Sequence, residues 1–309
     1  MSTAITPDIA PGSLDAWLVA LRPRSLLIAV SPVVVGTALA WQRLGSVHWL
    51  FVLLTLAAAV ALQVITNLQN DVGYTVRGAE RHGTRTGLPR ATAHGWLRVV
   101  DVRIAIAGTI VASVMLGLPL VMKWGWPVIA MGVPSIVAAL AYMGGPRPIA
   151  YTPFGELVVF VFFGLIAVPG TDFVLTGGVG LSSWLAAPAL GGLAVAAMVI
   201  NNHRDAEHDR GTGRRTFAVV FGTDATRRLY QVALLGPFAL VPAIAWSAAS
   251  PPLLLPLALL PAAMQLRRDF LSCPPGLPFN LVLFRTFKME LAFALLLAVG
   301  AVLGRILGT

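Results

Sequence analysis

Long apolar stretches separated by short polar segments make up most of this chain. A bilayer core of about 30 Å is spanned by about 20 apolar residues in a helix. The stretches lack the alternation of apolar and polar positions that a membrane-spanning β-strand shows. The pattern therefore predicts an all-α polytopic membrane protein with about nine transmembrane helices, at residues 25–41, 49–69, 100–121, 126–143, 154–170, 182–200, 229–247, 252–266 and 289–307.

Two polar passages follow the second and the sixth of these stretches. The first reads "NLQNDVGYTVRGAER" (67–81) and the second reads "NNHRDAEHDRGTGRR" (201–215). Each has an asparagine followed four positions later by an aspartate, and the two pairs are 134 residues apart. This repeat indicates two related sites at the ends of two membrane helices.

The repeated spacing places the polar side chains on common helix faces. The pairs are Asn67 with Asp71 and Asn201 with Asp205, and the second passage continues at the same interval to Asp209. Residues four positions apart lie close to one face of a helix. If the helices continue into both passages, each passage presents its carboxylates together.

Composition supports a location in the membrane. The chain of 309 residues is 57% hydrophobic and 11% charged, whereas a soluble domain carries about 25% charged residues. A soluble protein with so few charged residues could not cover its surface. The first 20 residues or so lack a basic start followed by an apolar core, so we expect no cleaved signal peptide.

The formal net charge of +9 is distributed unevenly. If about nine helices cross the membrane from a cytoplasmic N-terminus, only Arg43, Lys123 and Arg305 of the 22 basic residues fall on the far side. This bias is typical of cytoplasmic loops, and it predicts a multi-pass protein of the bacterial cytoplasmic (inner) membrane. Topology and contact with anionic lipid account for the excess. We therefore expect no nucleic-acid partner, and no protein partner is indicated.

Carboxylates and arginines occur together in the two polar passages. Mg²⁺ is commonly held by one or two carboxylates together with phosphate oxygens of a substrate, and arginines bind and orient polyanions. The combination predicts a diphosphate ligand bridged by Mg²⁺, with the apolar helices below holding a lipid tail. Five of the 13 acidic residues lie in the passages, namely Asp71, Glu80, Asp205, Glu207 and Asp209.

A simpler interpretation exists for each passage taken alone. An acidic residue at the end of a membrane helix is often a solvated charge or an arginine-paired charge of a loop. Two copies with matched spacing on one side of the membrane favour a ligand site over this alternative.

Five segments together resemble the UbiA superfamily of intramembrane aromatic prenyltransferases. Within it, the chain is most similar to the branch that prenylates 1,4-dihydroxy-2-naphthoate in menaquinone synthesis. The segments are "WLVALRPRSLLIAVSPVVVGTALAW" (17–41), "NLQND" (67–71), "YMGGPRPIAYTPFGELVVFVFFG" (142–164), "NNHRDAEHDRGTGRRTFAVVFG" (201–222) and "RTFKMELAFALLLAVG" (285–300).

The resemblance implies a bundle of about nine helices around a central cavity capped by cytoplasmic loops. It divides the chain into a cytoplasmic N-terminal segment, 1–24, and a transmembrane prenyltransferase domain, 25–309, with cytoplasmic motif loops at 67–98 and 201–228. A polyprenyl diphosphate and an aromatic acceptor would be the substrates. Mg²⁺ and basic residues would stabilise the leaving diphosphate, and prenylation would replace the carboxylate of the naphthoate, giving demethylmenaquinone.

Roles carried over by position cover both passages and the segment that follows the fourth helix. The implied metal ligands are Asp71, Asp205, Asp209 and Glu80, and the implied polar catalytic partners are Asn67 and Asn201. The residues implied to bind the diphosphate or the acceptor are Arg22, Arg77, Arg85, Tyr142, Arg147 and Tyr151. A purely structural role is an equal alternative for Tyr142, Arg147 and Tyr151.

The first motif departs from the pattern of this branch. The branch has a second aspartate where this chain has Tyr74, and a later aspartate is replaced by Glu80. A neutral phenol is a poor ligand for Mg²⁺, so the first metal subsite has lost a carboxylate. We expect Tyr74→Asp to leave activity intact or to lower the Mg²⁺ requirement.

Several alternatives to this function stay open at this point. The acceptor could be a hydroxybenzoate, a homogentisate or a tetrapyrrole, since all need the same diphosphate chemistry. The chain could be a non-catalytic carrier of isoprenoids or quinones, or an enzyme that lost activity with Tyr74. A transporter is disfavoured, because its polar sites usually lie near the membrane midplane, whereas these lie at helix ends.

Overall fold

The regular structure of this chain is helical. The computed structural model describes residues 9–79, 87–274 and 276–308. In chain order the helices are α1 (Leu14–Leu21), α2 (Leu27–Leu44), α3 (Trp49–Val76), α4 (Val99–Trp124), α5 (Trp126–Ala141), α6 (Gly155–Thr176), α7 (Leu181–Gly211), α8 (Phe217–Ser247), α9 (Leu260–Ser272) and α10 (Phe279–Leu307). A π-helical segment, Phe160–Ile166, lies within α6, and a 3₁₀ segment, Pro251–Leu259, leads into α9.

The predicted fold class is confirmed. Within the described residues, seven helical segments are long and apolar enough to cross a membrane, so the chain is a multi-pass membrane protein. The other two predicted spans fall on shorter elements, the 16-residue α5 and the 3₁₀ segment with α9. The count of about nine crossings therefore stays a prediction.

The helices extend further than their apolar stretches. Helix α7 continues through its polar passage to Gly211, and α3 continues to Val76. The segment 201–228, expected to be a loop, is therefore largely helical, because α8 begins at Phe217 and bends at Gly222. The length of an apolar stretch reflects the thickness of the membrane. A helix can continue beyond the membrane for as long as its backbone hydrogen bonds continue.

The N-terminal segment is helical and packed. Ala16 and Ala20 of α1 are fully buried in a cluster that includes Ile65 and Leu68 of α3. Helix α1 ends at Arg22, which adopts the left-handed conformation (φ 52°, ψ 63°), unusual for a residue other than glycine. This turn brings the chain into α2 beside the end of α3.

Helix α7 is the central helix of the bundle. In its most apolar stretch 78% of the residues are buried, compared with at most 44% in the other six candidate spans. Helix α6 approaches it closely at Gly164 and Gly191, where a Cβ atom on Gly164 would lie 2.6 Å from the carbonyl oxygen of Ala187. Such an approach requires glycine, and it positions the polar end of α7 beside the start of α6.

Candidate active site

A cavity of about 870 Å³ opens at the polar ends of α3 and α7. Its walls come mainly from α2, α3, α5, α6, α7 and α10. Polar and charged side chains line one end, and apolar side chains line the rest, including Phe162, Phe163, Met198, Phe284 and Phe287. An apolar chamber with a charged mouth suits a ligand with an anionic head and a hydrocarbon tail.

Helix α3 presents Gln63, Asn67, Asn70 and Tyr74 to this cavity. The amide nitrogen of Asn67 donates hydrogen bonds to the carbonyl oxygen of Leu21 (2.8 Å) and to the hydroxyl of Ser25 (2.9 Å). Its amide oxygen accepts one from Gln63 (3.1 Å). Asn67 therefore holds the turn that carries Arg22, which itself lines the cavity.

Asp71 differs from its expected position, because it does not line the cavity. It is fully buried, and its carboxylate accepts hydrogen bonds from the backbone N–H groups of Ala91 (2.9 Å) and Thr92 (2.8 Å) and from the Thr92 hydroxyl (2.6 Å). Residues 67 and 71 are about 40° apart on the helix, and this rotation turns Asp71 toward the loop. In this arrangement its carboxylate anchors residues 91 and 92 and does not line the cavity.

Helix α7 presents Asn201, Asn202 and Asp205 to the same cavity. The carboxylate of Asp205 forms a two-pronged ion pair with Arg204, with both contacts at 2.8 Å. Asn202 donates a hydrogen bond of 2.7 Å to the buried carboxylate of Glu156. The expectation that the helix continues through Asn201, Asp205 and Asp209 is confirmed.

Arg214, near the end of the second polar passage, reaches across to Tyr74 of the first. After the turn at Gly213 (φ 76°), its guanidinium points back over α7 and contacts Asp209 at 2.5 Å. The same nitrogen donates a hydrogen bond to the Tyr74 hydroxyl, and Nε donates one to the carbonyl oxygen of Ala150 (3.2 Å). Arg214 lines the cavity, whereas Asp209, fully buried, lies behind it.

The surroundings of Arg214 keep its side chain charged. Burial alone would lower the pKa of this guanidinium. The contacts with Tyr74 and Asp209 outweigh burial and raise the pKa above its ordinary value. A fixed positive charge therefore faces the cavity between α3 and α7.

The other predicted binding residues divide into two groups. Arg22 and Tyr142 line the cavity. Arg77 and Arg147 are exposed and do not line it, although Arg77 stacks over the ring of Tyr151 at 5.2 Å from its centre.

The remaining predicted residues have mixed positions. Tyr151 is half-buried beside Arg214, with the guanidinium 5.7 Å from its ring centre, and it does not line the cavity. Glu80 and Arg85 lie outside the described residues, so their roles stay predictions.

Several cavity residues were not among those predicted from the sequence. They are Asn70, Arg90, Asn202, Arg204 and Arg214. Asn70 and Tyr74 are four positions apart, as are Asn67 and Asp71. The same four-residue spacing could therefore have identified Asn70 and Tyr74, both of which line the cavity. Asn202, Arg204 and Arg214 lie within the second polar passage, beside predicted residues, whereas Arg90 becomes recognisable only when its segment packs against α3.

The oxygen donors at the cavity mouth fit a magnesium ion that shares its ligands with a phosphate. Asp205 contributes a carboxylate, and Asn70 contributes a buried amide oxygen that accepts no hydrogen bond from a described residue. No group of three His, Cys, Asp or Glu side chains that could hold a metal occurs in the described part of the chain. The set fits Mg²⁺ bound with substrate oxygens better than a cage made of protein alone.

Comparison with known proteins agrees with this geometry. The UbiA prenyltransferase family matches residues 29–273. The 1,4-dihydroxy-2-naphthoate octaprenyltransferase of Escherichia coli is 36% identical over 228 residues, covering 72% of this chain and 73% of that protein. The Bacillus subtilis protein of the same name is 29% identical over 285 residues, covering 90% and 89%.

Two solved structures have the same fold. A UbiA homolog from Archaeoglobus fulgidus bound to GPP and Mg²⁺ aligns with a TM-score of 0.64 at 15% identity, covering 92% of this chain and 99% of that one. An apo UbiA homolog from Aeropyrum pernix K1 aligns with a TM-score of 0.68 at 16% identity, covering 90% and 97%. At these identities the likeness shows the fold alone. The family match over most of the chain and the identity to the Escherichia coli protein establish that this chain belongs to the UbiA prenyltransferase family.

Proposed function

We propose that this chain transfers a polyprenyl group from a polyprenyl diphosphate to 1,4-dihydroxy-2-naphthoate, in menaquinone synthesis. The observation that carries the proposal is the cavity itself. Asp205 and Arg214 lie at the charged mouth of an otherwise apolar chamber. The octaprenyltransferases of Escherichia coli and Bacillus subtilis that match the chain are named for this acceptor.

Each end of the cavity has a separate task in this reaction. Arg22, Arg90, Arg204 and Arg214 at the mouth bind the diphosphate by charge-assisted hydrogen bonds. Asp205, with amide oxygens such as that of Asn70, would hold Mg²⁺, while Asp209 would hold Arg214 in place. When bound, Mg²⁺ neutralises charge on the departing diphosphate. The apolar side chains below exclude water from the reacting carbon.

The reaction is one substitution on the prenyl diphosphate and one on the naphthoate. The bond between the allylic carbon and the diphosphate oxygen breaks, and the diphosphate leaves with the electron pair. The ring carbon that carries the carboxylate forms a bond to the allylic carbon. The bond to the carboxylate then breaks, returning its electron pair to the ring as CO₂ departs. The product is the quinol form of demethylmenaquinone.

The orientation and the division of the chain are also part of the proposal. The mouth of the cavity would face the cytoplasm, with segment 1–24 on that side and domain 25–309 in the membrane of a bacterial cell. The distribution of basic residues supports this orientation, because cytoplasmic loops carry an excess of lysine and arginine. Arg43, Lys123 and Arg305 lie at the helix ends opposite the mouth, whereas Arg22, Arg90, Arg204 and Arg214 lie at the mouth itself.

The test is prenyl transfer by purified protein in lipid nanodiscs. Geranylgeranyl diphosphate is offered with carboxyl-labelled 1,4-dihydroxy-2-naphthoate or with 4-hydroxybenzoate, in Mg²⁺ or in EDTA. We expect Mg²⁺-dependent prenylated product and labelled CO₂ from the naphthoate. Asp205→Ala should reduce the rate at least about 100-fold.

The matched control for Asp205→Ala is Asp224→Ala, since Asp224 is an exposed residue of α8. It should retain the full rate. Product from 4-hydroxybenzoate alone would reassign the acceptor. Tight binding of the diphosphate without product from either acceptor would contradict the proposed activity.

A further inference from the structure

The first polar passage provides no described carboxylate to the cavity. Asp71 is turned toward residues 91 and 92, and the α3 position that faces α7 is occupied by the phenol of Tyr74. Asn70 adds only a neutral amide oxygen. One phenol oxygen and one amide oxygen are weak ligands for Mg²⁺, which prefers carboxylates and phosphate oxygens.

A guanidinium is held beside this phenol. Arg214 donates a hydrogen bond to the Tyr74 hydroxyl and is paired with Asp209 at 2.5 Å. Its Nε is bound to the carbonyl oxygen of Ala150. Only 4% of its side chain is exposed, so Arg214 has a fixed place. A second cation, Arg90, stacks on the Tyr74 ring at 4.2 Å from its centre.

This arrangement rests on the proposed function for its ligand. We propose that Arg214, oriented by Tyr74 and Asp209, takes the place of a metal ion at the first passage, so that the chain binds a prenyl diphosphate with one Mg²⁺ and one built-in cation. The Nε of Arg214 and one of its terminal nitrogens are engaged by Ala150, Tyr74 and Asp209, so its other terminal nitrogen, with two N–H groups, is the one that donates to phosphate oxygens. Tyr74 accepts the hydrogen bond that orients this guanidinium, whereas an aspartate at that position would add to the cavity a carboxylate able to bind a second metal.

The experiment counts metal ions directly. Wild-type protein in detergent is mixed with Mn²⁺ and geranyl thiolodiphosphate, an unreactive sulfur analogue, and bound Mn²⁺ is measured by electron paramagnetic resonance. We expect one Mn²⁺ per chain in the wild type and two in Tyr74→Asp. Val76→Asp is the matched control, because it adds a carboxylate two positions away on the same helix, at an exposed residue that does not line the cavity, and it should keep one.

Variants of Arg214 test the built-in cation. Arg214→Gln should weaken binding of the analogue roughly 30-fold or more, while the number of bound Mn²⁺ ions stays at one. Arg215→Gln removes an exposed charge one position away and should leave binding unchanged. If Arg214→Gln does not fold, Arg214→Lys keeps the positive charge but lacks the planar guanidinium, and it should bind the analogue with intermediate affinity.

The outcomes separate this inference from the proposed function. Two Mn²⁺ ions in the wild type with tight binding of the analogue would overturn the inference and leave the proposed function standing. Unchanged affinity in both Arg214→Gln and Arg214→Lys would also overturn it. Failure of the wild type to bind the analogue at any Mn²⁺ concentration would overturn both.

Discussion

Asp71 on α3 accepts hydrogen bonds from both the backbone N–H and the side-chain hydroxyl of Thr92, at 2.8 and 2.6 Å. These contacts fix the segment that carries Arg90, whose guanidinium stacks on Tyr74 at the cavity mouth. The sequence predicts Asp71 to be a metal ligand, whereas in the structure it positions Arg90. Measurements of stability and of bound metal distinguish these two roles.

We predict that Asp71→Ala lowers the free energy of unfolding by roughly 2–3 kcal/mol, because buried donors of residues 91 and 92 lose a charged acceptor. The measurement is the melting temperature in detergent, together with the number of bound Mn²⁺ ions, which should not change. Asp101→Ala serves as the control, since Asp101 pairs with Arg98 at the surface, and should melt close to the wild type. Loss of a bound Mn²⁺ ion without loss of stability would instead make Asp71 a metal ligand.

Asn67→Leu should weaken binding of the prenyl diphosphate. The substitution removes the hydrogen bonds to Leu21 and Ser25 that hold the turn carrying Arg22. We expect KM for the diphosphate to rise about tenfold, equivalent to about 1.4 kcal/mol, with a smaller change in kcat. Thr109→Val is the matched control, because the Thr109 hydroxyl bonds within its own helix, to Ala105, and Thr109 does not line the cavity. Equal effects of the two variants would argue against the role of Asn67.

Gly164→Ala should destabilise the bundle. The added Cβ atom would lie 2.6 Å from the carbonyl oxygen of Ala187 and 2.8 Å from the Cα atom of Gly191, and backbone atoms cannot move aside as a flexible side chain can. Overpacking of this kind costs about 1–3 kcal/mol, seen as a lower melting temperature. Gly108→Ala in α4, where no described atom outside the helix backbone lies within 4 Å of the added Cβ atom, should be neutral or slightly stabilising. A Gly164→Ala protein as stable as wild type would show that α6 and α7 can separate at little cost.

Glu156→Ala should weaken binding of the aromatic acceptor more than binding of the prenyl diphosphate. Glu156 accepts the hydrogen bond that orients Asn202, and Asn202 lines the cavity one turn deeper than Asp205. We expect KM for the naphthoate to rise several-fold while KM for the diphosphate changes little. Glu156→Gln keeps an oxygen for Asn202 and should restore much of the loss. If both variants raise the two KM values equally, Glu156 supports the fold of the site as a whole.

Much of the fold follows from hydropathy, and much of the site does not. Every predicted span falls on a helix, because about 20 apolar residues in a bilayer have few other stable conformations. The 16-residue α5 and the proline-rich 3₁₀ segment are shorter than the roughly 20 residues that a full crossing needs. Asp205 was predicted at the cavity, and the structure places it there, because α7 continues unbroken to Gly211.

Rotation of α3 and contacts between distant segments could not be deduced from spacing. A turn of about 40° separates a residue facing the cavity, such as Asn67, from Asp71, which faces a loop. The resemblance to the family implies that Tyr74 replaces a carboxylate, but the partner of Tyr74, Arg214, lies 140 residues away. A pairing of that kind depends on how the helices pack.

Burial of α7 along most of its length has a consequence for the length of the lipid tail. A helix enclosed by neighbours cannot slide along its axis without breaking its packing, so Asp205 marks a fixed origin for the bound diphosphate. With the diphosphate held there, the apolar side chains of the chamber limit the length of the lipid tail that fits. We expect smaller residues in place of Phe162 and Phe163 to admit a longer tail without moving the diphosphate.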